Sequence, residues 1–407
     1  MMAGRLESPS MKPDIARPVA VLAVIQVVAW GVISLPPVIG AQMGSSLGLD
    51  LPTILVGSSL IMVVSGLASP PLGQAYARFG ARRVMMAGTL VGAFGLVLLA
   101  LAQGLASYVL AWIVLGLYGA AVLTTSAYAY LNECLGARAK GAIGLLMLAT
   151  GLATGLFWPI TAILTVQLGW RGTVLLYALL LAGLVLPLLA FGLPAARDAA
   201  APGAAAAPRA LGFGAPFWLM VAAIGFSGFV TFGFEAVAIS LFRSLGYTEQ
   251  ASIAVASALS VLKVGGRLLD LAGGERWDGL TTAVAAGGIM PLGIAVLLLG
   301  DGEAAVWLFA GLFGVASGAF AIARATMPLV FYDKAAYGAA LARLALPLNL
   351  AYAASPPILA AALVATGPRG TIGIALGCSL AAFLLLLLLM RLRPVPHAGP
   401  AGHVRGY

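Results

Sequence analysis

Long apolar stretches alternate with short polar segments along the whole chain. Such stretches are long enough to cross the roughly 30 Å of hydrocarbon in a bilayer as α-helices. The pattern therefore predicts an all-α membrane protein with twelve transmembrane helices. We place them at 18–40, 52–76, 84–103, 107–131, 141–167, 172–193, 215–242, 248–271, 280–299, 305–330, 339–365 and 370–391.

One long connection interrupts this pattern between predicted helices 6 and 7. Residues 195–214 are rich in alanine, proline and glycine and lack apolar periodicity, which is typical of a linker. Six helices precede it and six follow, so the chain is predicted to consist of two halves. The predicted segments are an N-terminal tail 1–17, a six-helix bundle 18–194, the linker 195–214, a second six-helix bundle 215–392 and a C-terminal tail 393–407.

Composition and charge support a membrane location. The chain is 62% hydrophobic and 9% charged, with a mean hydropathy of +1.06, whereas a soluble domain needs far more surface charge. Fifteen of the 22 basic residues fall on the side of both termini and only Arg171, Arg243 and Arg369 fall opposite. Because cytoplasmic loops collect basic residues, we predict a multi-pass cell-membrane protein with cytoplasmic termini. Loop charges facing lipid also explain the net charge of +9 without a nucleic-acid partner.

A short loop motif occurs twice, at equivalent places in the two halves. GQAYARFGARR joins predicted helices 2 and 3, and GRLLDLAGGER joins predicted helices 8 and 9. Glycines permit a tight turn between helices, arginines anchor it at the lipid surface, and such repetition is expected of a duplicated transporter. We therefore predict cytoplasmic gating loops built on Gly73, Arg78, Gly80, Arg82, Arg83, Gly266, Asp270 and Gly273.

At these residues the chain resembles the major facilitator superfamily, although Ala77 stands where that family's first motif has an acid. The resemblance implies two six-helix bundles related by pseudo-two-fold symmetry, with helices 1, 4, 5, 7, 8, 10 and 11 around a central cavity. Gly151, Gly155 and Pro159 in helix 5, followed by Gly169-Trp170-Arg171, look like the oxalate/formate antiporter and monocarboxylate transporter branch. In that branch a helix 8 arginine contacts the substrate anion, and Arg267 is the nearest match.

Charged residues within predicted helix 8 are the main candidates for substrate binding. A charge at mid-membrane costs about 3 kcal/mol on insertion scales, so such residues usually face a cavity or a partner. Lys263, Arg267 and Asp270 share one helix face at this spacing. The two cations are predicted to bind an anion such as a carboxylate. The alternative is structural, with Arg267 paired to Asp270 and Lys263 snorkelling towards the interface.

Other intramembrane residues extend this candidate site. Arg324 is a weaker substrate candidate, with interfacial anchoring or pairing to Asp333 as the alternative, and Arg343 is weaker still. Glu235 and Asp270 are candidates for proton coupling, and Glu235 could instead pair with Arg243. Near mid-membrane, the polar and aromatic candidates for a pocket are Gln26, Trp30, Ser34, Thr124, Tyr128, Trp158, Asn349 and Tyr352, with helix packing as the alternative for each.

The favoured function is secondary active transport of a small solute, an organic anion such as a carboxylate, by alternating access. A coupling proton or counter-anion is a possible partner besides the lipid bilayer, and the protein is expected to be a monomer. No metal cluster, nucleotide-binding loop or nucleophile–base pair is found in the sequence, so neither a cofactor nor an enzymatic activity is predicted. A proton-coupled efflux pump and a non-transporting membrane sensor or scaffold remain as alternatives.

Overall fold

The computed structural model describes residues 13–135, 139–194, 214–273, 277–332 and 334–393. Residues 1–12 and 394–407 of the predicted tails, nearly all of the predicted linker, Arg276 and Asp333 lie outside these ranges. Every regular element within them is helical. The α-helices are Pro13–Gly31, Pro36–Leu47, Leu51–Phe79, Ala81–Ala100, Leu105–Val122, Thr124–Leu135, Ala139–Gly151, Ala153–Leu180, Ala215–Ser244, Glu249–Gly273, Gly279–Leu299, Gly302–Thr326, Pro328–Phe331 and Lys334–Arg391.

Two of these helical stretches contain a sharp turn at a glycine. Gly169 has φ 68° within Ala153–Leu180, and Gly367 has φ 70° within Lys334–Arg391. Glycine adopts this left-handed conformation without a steric penalty. Within the described ranges, ten apolar stretches are long enough to span a membrane, and two of them contain these turns. Dividing each at its glycine yields twelve helices, numbered 1 to 12 below, in agreement with the predicted all-α fold.

Helix 1 is broken near its middle, which corrects the continuous helix predicted over 18–40. Its two parts are Pro13–Gly31 and Pro36–Leu47. Pro36 and Pro37 have no backbone N–H, so the preceding turn cannot continue its hydrogen-bond ladder. The break leaves backbone carbonyls near Ser34 free to accept hydrogen bonds from other helices.

Helix 4 is also discontinuous, with extended backbone at Leu123 between Leu105–Val122 and Thr124–Leu135. Side chains donate hydrogen bonds to the backbone carbonyls next to the break. The Gln26 amide donates a 2.6 Å hydrogen bond to the Val122 carbonyl, and the Ser126 hydroxyl donates one of 3.0 Å to the Ala120 carbonyl. Hydroxyl side chains compete in this way with helical backbone bonds, which accounts for a break without proline.

Three further helices differ from their predicted form. Helix 5 is interrupted at Leu152, helix 6 contains two π-helical turns at Leu181–Val185 and Leu188–Gly192, and helix 10 bends at Met327. π-Helical turns such as those in helix 6 often occur at functional sites. The break in helix 5 is the one that bears on the cavity described below.

Two arginines fasten helix ends on opposite sides of the molecule. We call the side where helix 1 begins the terminal side and the other the far side. On the terminal side, Arg82 at the start of helix 3 donates to the Leu189 carbonyl (2.8 Å) near the end of helix 6. On the far side, Arg171 at the start of helix 6 donates to the Ala100 carbonyl (3.1 Å) and to Ser46 (2.7 Å). These bonds establish that helices 3 and 6 run antiparallel.

Buried apolar side chains form two clusters, one within residues 19–193 and one chiefly within 220–389. Five first-half residues join or pack against the second cluster: Val38, Leu51, Leu55, Trp158 and Ala162. All five lie in the far-side parts of their helices. No second-half residue joins the first cluster among the described parts of the chain. The two halves therefore pack together on the far side.

Candidate functional site

A cavity of about 450 Å³ lies where the two halves face each other. Its walls come from helices 1, 2, 4, 5, 7, 8, 10 and 11, which are the seven helices implied by the resemblance together with helix 2. The breaks in helices 1, 4 and 5 all adjoin it. Of the residues predicted to form the site, the walls include Trp30, Ser34, Thr124, Tyr128, Trp158, Glu235, Lys263, Arg267, Arg324 and Tyr352.

One ion pair spans the cavity wall between helices 7 and 8. The Lys263 ammonium lies 2.9 Å from the Glu235 carboxylate, with side chains 11% and 27% exposed. This pair excludes two of the alternatives above, because Lys263 does not snorkel to the interface and Glu235 does not pair with Arg243. Arg243 instead lies 4.0 Å from Glu249 near the far-side surface. Lys263 is thus neutralised locally by an acid of the adjacent helix.

Arg267 connects the two halves without an ion pair. Its guanidinium donates to the Met147 carbonyl, which belongs to the turn where helix 5 is interrupted. Its Nε is buried and has no hydrogen-bond partner among the described residues. Arg267 forms no ion pair with Asp270, and the Thr282 hydroxyl donates to that carboxylate at 2.6 Å. Arg267 therefore lines the cavity without an ion-pair partner among the described residues.

Arg324 contributes a second arginine to the same wall. Its guanidinium carbon lies 5.8 Å from the centroid of the Tyr352 ring, a distance typical of a cation–π contact. Its charge also interacts with Arg267 and with Tyr128. No described carboxylate lies within 4.0 Å of either arginine. Two like charges therefore line one cavity with no described carboxylate within 4.0 Å, and the nearest acidic influence on Arg267 comes from Glu235 of the same wall.

Two tryptophans are held in place by the broken helices. The Trp158 indole N–H donates to the Ser34 carbonyl (3.0 Å) at the break in helix 1. The Trp30 indole N–H donates to the Thr124 hydroxyl (3.3 Å) at the break in helix 4. Both donors are satisfied within the protein; the Trp30 ring is partly exposed, whereas the Trp158 ring is 1% exposed and also packs into the second apolar cluster.

Three predicted site residues do not line the cavity. Gln26 is fully buried and supports the break in helix 4. Asn349 is half-buried near Gly66, and Asp270 is bonded to Thr282. These placements give Gln26 a structural position and remove the expectation that Asp270 faces the solute pathway.

The repeated loop motif is more compact than predicted. Helix 2 continues through Gly73 and Arg78 to Phe79, so the connection to helix 3 is the single residue Gly80, with φ 80°. The Ala81 N–H donates to both oxygens of Glu133, and Arg82 binds helix 6 as described above. Arg78 and Arg83 are exposed.

In the second copy of the motif, Gly266 and Gly273 both lie within helix 8. A Cβ at Gly266 would lie 2.1 Å from the Val315 carbonyl oxygen, which shows how closely helices 8 and 10 approach. A Cβ at Gly273 would meet the Trp277 ring.

Sequence reasoning missed several wall residues, of which Phe232 is the most informative. Its ring lies 4.7 Å from that of Tyr352 at an interplanar angle of 33°. Phe232 precedes Glu235 by three residues, so the helical period placed it on the same face. The hydrogen bond between Thr154 of helix 5 and Ser260 of helix 8 had no comparable signal, because it joins residues 106 positions apart.

A family model for the Major Facilitator Superfamily matches residues 20–313. This chain belongs to the major facilitator superfamily. No curated sequence matches it significantly. Because it belongs to this superfamily, the protein is a secondary transporter of a small solute and not an enzyme, as predicted.

Solved structures of superfamily members share its fold. A bacterial homologue of the human lysosomal transporter Spinster, in an inward-facing and occupied conformation, has a TM-score of 0.71 at 15% identity over 95% of this chain and all of that chain. The human organic anion transporter MFSD10 (TETRAN) has a TM-score of 0.64 at 16% identity, covering 92% of this chain and all of that chain. The same Spinster homologue in its inward-facing, unoccupied conformation scores 0.69 at 15% identity and covers 95% of this chain and all of the other.

Proposed function

We propose that this superfamily member transports a small organic anion that carries a carboxylate or a similar group. One observation carries the proposal: Arg267 and Arg324 face the cavity with no described carboxylate within 4.0 Å. An unbalanced charge is costly in a membrane interior, and two such charges near each other raise the cost. An anionic solute that binds both would relieve it.

Arginine suits this role because its planar guanidinium offers paired donors to a carboxylate. Arg267 and Arg324 both line the cavity, so their guanidinium groups are placed to supply such donors. Lys263 is less available, since Glu235 already neutralises it at 2.9 Å. The two arginines are therefore the proposed anion contacts, and Lys263 is a secondary one.

Movement of the solute requires the halves to separate on the far side, where Trp158 and Leu55 now pack into the second core. Alternating access provides this by rocking one bundle against the other. Arg267 contacts both halves, because its side chain reaches from helix 8 to the Met147 carbonyl of helix 5. An anion that competes for this guanidinium would weaken that link and so couple binding to movement.

The direct test is uptake of radiolabelled lactate, succinate and 3-phenylpropionate into proteoliposomes containing the purified protein. We expect Arg267→Gln and Arg324→Gln each to reduce uptake of the best of these at least about tenfold, given that a charge-assisted bond contributes about 1.5–3 kcal/mol. Arg243→Gln is the matched control, because it removes an arginine charge outside the cavity. Unchanged uptake by Arg267→Gln, with the variant folded, would end the anion-site role.

A proton-coupled efflux pump is the second candidate, and it is favoured by the position of Glu235. Among the described cavity residues it is the one acid, and protonating it would release Lys263. Glu235→Gln would then abolish substrate-dependent proton movement, measured with a pH dye inside the proteoliposomes. Growth inhibition of a deletion strain by toxic compounds distinguishes export from import. A sensor or scaffold predicts no counterflow with any of the labelled anions.

A further inference from the structure

Aromatic side chains make up much of the cavity wall. Six are present among the described lining residues, three from each half: Trp30, Tyr128 and Trp158 from the first, and Phe232, Phe320 and Tyr352 from the second. A site for a small hydrophilic ion has no need of so much apolar ring surface. The composition of the wall therefore carries information about the solute beyond its charge.

Two of the second-half rings, Tyr352 and Phe232, lie in a row that begins at Arg324. The Arg324 guanidinium carbon lies 5.8 Å from the Tyr352 ring centroid, and the Tyr352 ring lies 4.7 Å from that of Phe232. The Arg324 guanidinium, the Tyr352 ring and the Phe232 ring are therefore successive neighbours along the wall. A ligand that places its negative group at the cation brings its remaining atoms alongside the two rings.

The first-half wall is complementary to this row. The indole N–H groups of Trp30 and Trp158 are bonded to Thr124 and Ser34, so each ring is oriented by the protein before any ligand binds. Oriented aromatic surfaces bind planar apolar groups by offset stacking or edge contacts with little loss of conformational freedom.

The size of the cavity leads to the same conclusion. Its volume of about 450 Å³ lies within the range of about 300–1,000 Å³ typical of pockets for drug-sized ligands. An anion of two or three carbons bound at Arg267 and Arg324 would fill only part of this volume. A solute with an apolar body would contact both walls.

We infer that the substrate is an amphipathic organic anion, with a carboxylate bound by Arg267 and Arg324 and an aromatic body held between the rings of the two halves. This inference rests on the proposed anion transport and narrows it to one substrate class.

Binding of four matched compounds to the purified full-length protein in detergent tests the inference. The probes are 3-phenylpropionate, propionate, succinate and 3-phenylpropionamide, measured by isothermal titration and by thermal shift. We expect 3-phenylpropionate to bind at least about tenfold more tightly than propionate or succinate, because pocket contacts to even a single methylene can discriminate by about tenfold or more. The uncharged amide should also bind at least about tenfold more weakly than the acid.

The outcomes separate the two proposals. Equal binding of propionate, succinate and 3-phenylpropionate would overturn the aromatic class and leave anion transport standing. Equal binding of the amide and the acid would overturn the anion site itself. If none of the four compounds binds, both proposals fail.

A variant pair on helix 7 supplies an independent test. Phe232→Leu removes a wall ring, whereas Phe226→Leu removes an exposed ring of the same helix that does not line the cavity. Phe232→Leu should weaken 3-phenylpropionate binding about fivefold or more relative to propionate binding, by loss of a ring contact. Phe226→Leu should change neither. Equal weakening of both ligands by Phe232→Leu would indicate general damage to the site and contradict the inference.

Discussion

At the scale of single residues, the pairing of Lys263 with Glu235 changes how both are interpreted. Each was a separate candidate in the sequence, one for anion binding and one for proton coupling. The structure joins them at 2.9 Å although they are 28 positions apart. Since an ion pair in a poorly hydrated site is stable only while both partners remain, the two residues should behave as one unit under mutation.

A double-mutant cycle tests this coupling. Lys263→Met and Glu235→Gln should each lower the free energy of unfolding by about 1–3 kcal/mol, because each leaves one charge without its partner. The double variant should lose less than the sum of the two single variants, with a coupling of about 0.5–3 kcal/mol. Thermal denaturation of the purified variants in detergent measures all three changes. Additive losses would show that the pair is energetically independent in solution.

At the scale of the helices, close approach depends on particular glycines. Helices 8 and 10 meet so tightly that a Cβ at Gly266 would lie 2.1 Å from a backbone oxygen, and one at Gly318 would lie 2.0 Å from the Lys263 carbonyl oxygen. Small residues permit this packing in membranes, where dispersion contacts replace the hydrophobic effect. Both contacts adjoin the residues that carry the cavity cations.

Adjacent glycines on helix 8 provide a matched test of this packing. Gly266→Ala should destabilise the protein by about 1–3 kcal/mol, because overpacking against backbone cannot be relieved by a side-chain rotation. Gly265→Ala should be neutral or slightly stabilising, since a Cβ there meets nothing within 4 Å and alanine favours helix. Melting temperatures of the two variants decide the matter. Similar melting temperatures would show that helices 8 and 10 separate more readily than this packing indicates.

At the scale of the whole molecule, the two halves are held together on the far side of the cavity. Thr154 of helix 5, which lines the cavity, is hydrogen-bonded to Ser260 of helix 8 and so also joins the two halves. Alternating access requires the contact to open. The arrangement therefore predicts that fixing it permanently stops transport without preventing folding.

A reversible cross-link tests that requirement. Thr154→Cys with Ser260→Cys, in a background where Cys134 and Cys378 are replaced, should form a disulfide on oxidation because the two side chains are in contact. Proteoliposome uptake should fall to background when the protein is oxidised and recover after reduction. Each single-cysteine variant should transport equally in both states. Full transport by the verified cross-linked protein would contradict alternating access through this contact.

The sequence by itself determined the class of fold and the inventory of charges within it. Runs of apolar residues this long must be helical in lipid, because every backbone N–H and C=O needs a partner inside the segment. The same period placed Lys263 and Arg267 on one face, and both line the cavity. The predicted cytoplasmic orientation of the termini and the placement in the organic-anion branch stay predictions.

Only the tertiary structure decided which charges are neutralised and where helices break. Lys263 is paired and Arg267 is not, a difference that depends on helix 7 and that nothing within helix 8 reveals. The break at Leu123 depends on Gln26, which binds the Val122 carbonyl from 96 positions away. The local sequence pattern indicates whether a segment forms a helix. The hydrogen-bond and ion-pair partners of its polar groups are supplied by other helices. For that reason the sequence supplies candidate residues, whereas packing decides which of them line the cavity and which partners they contact.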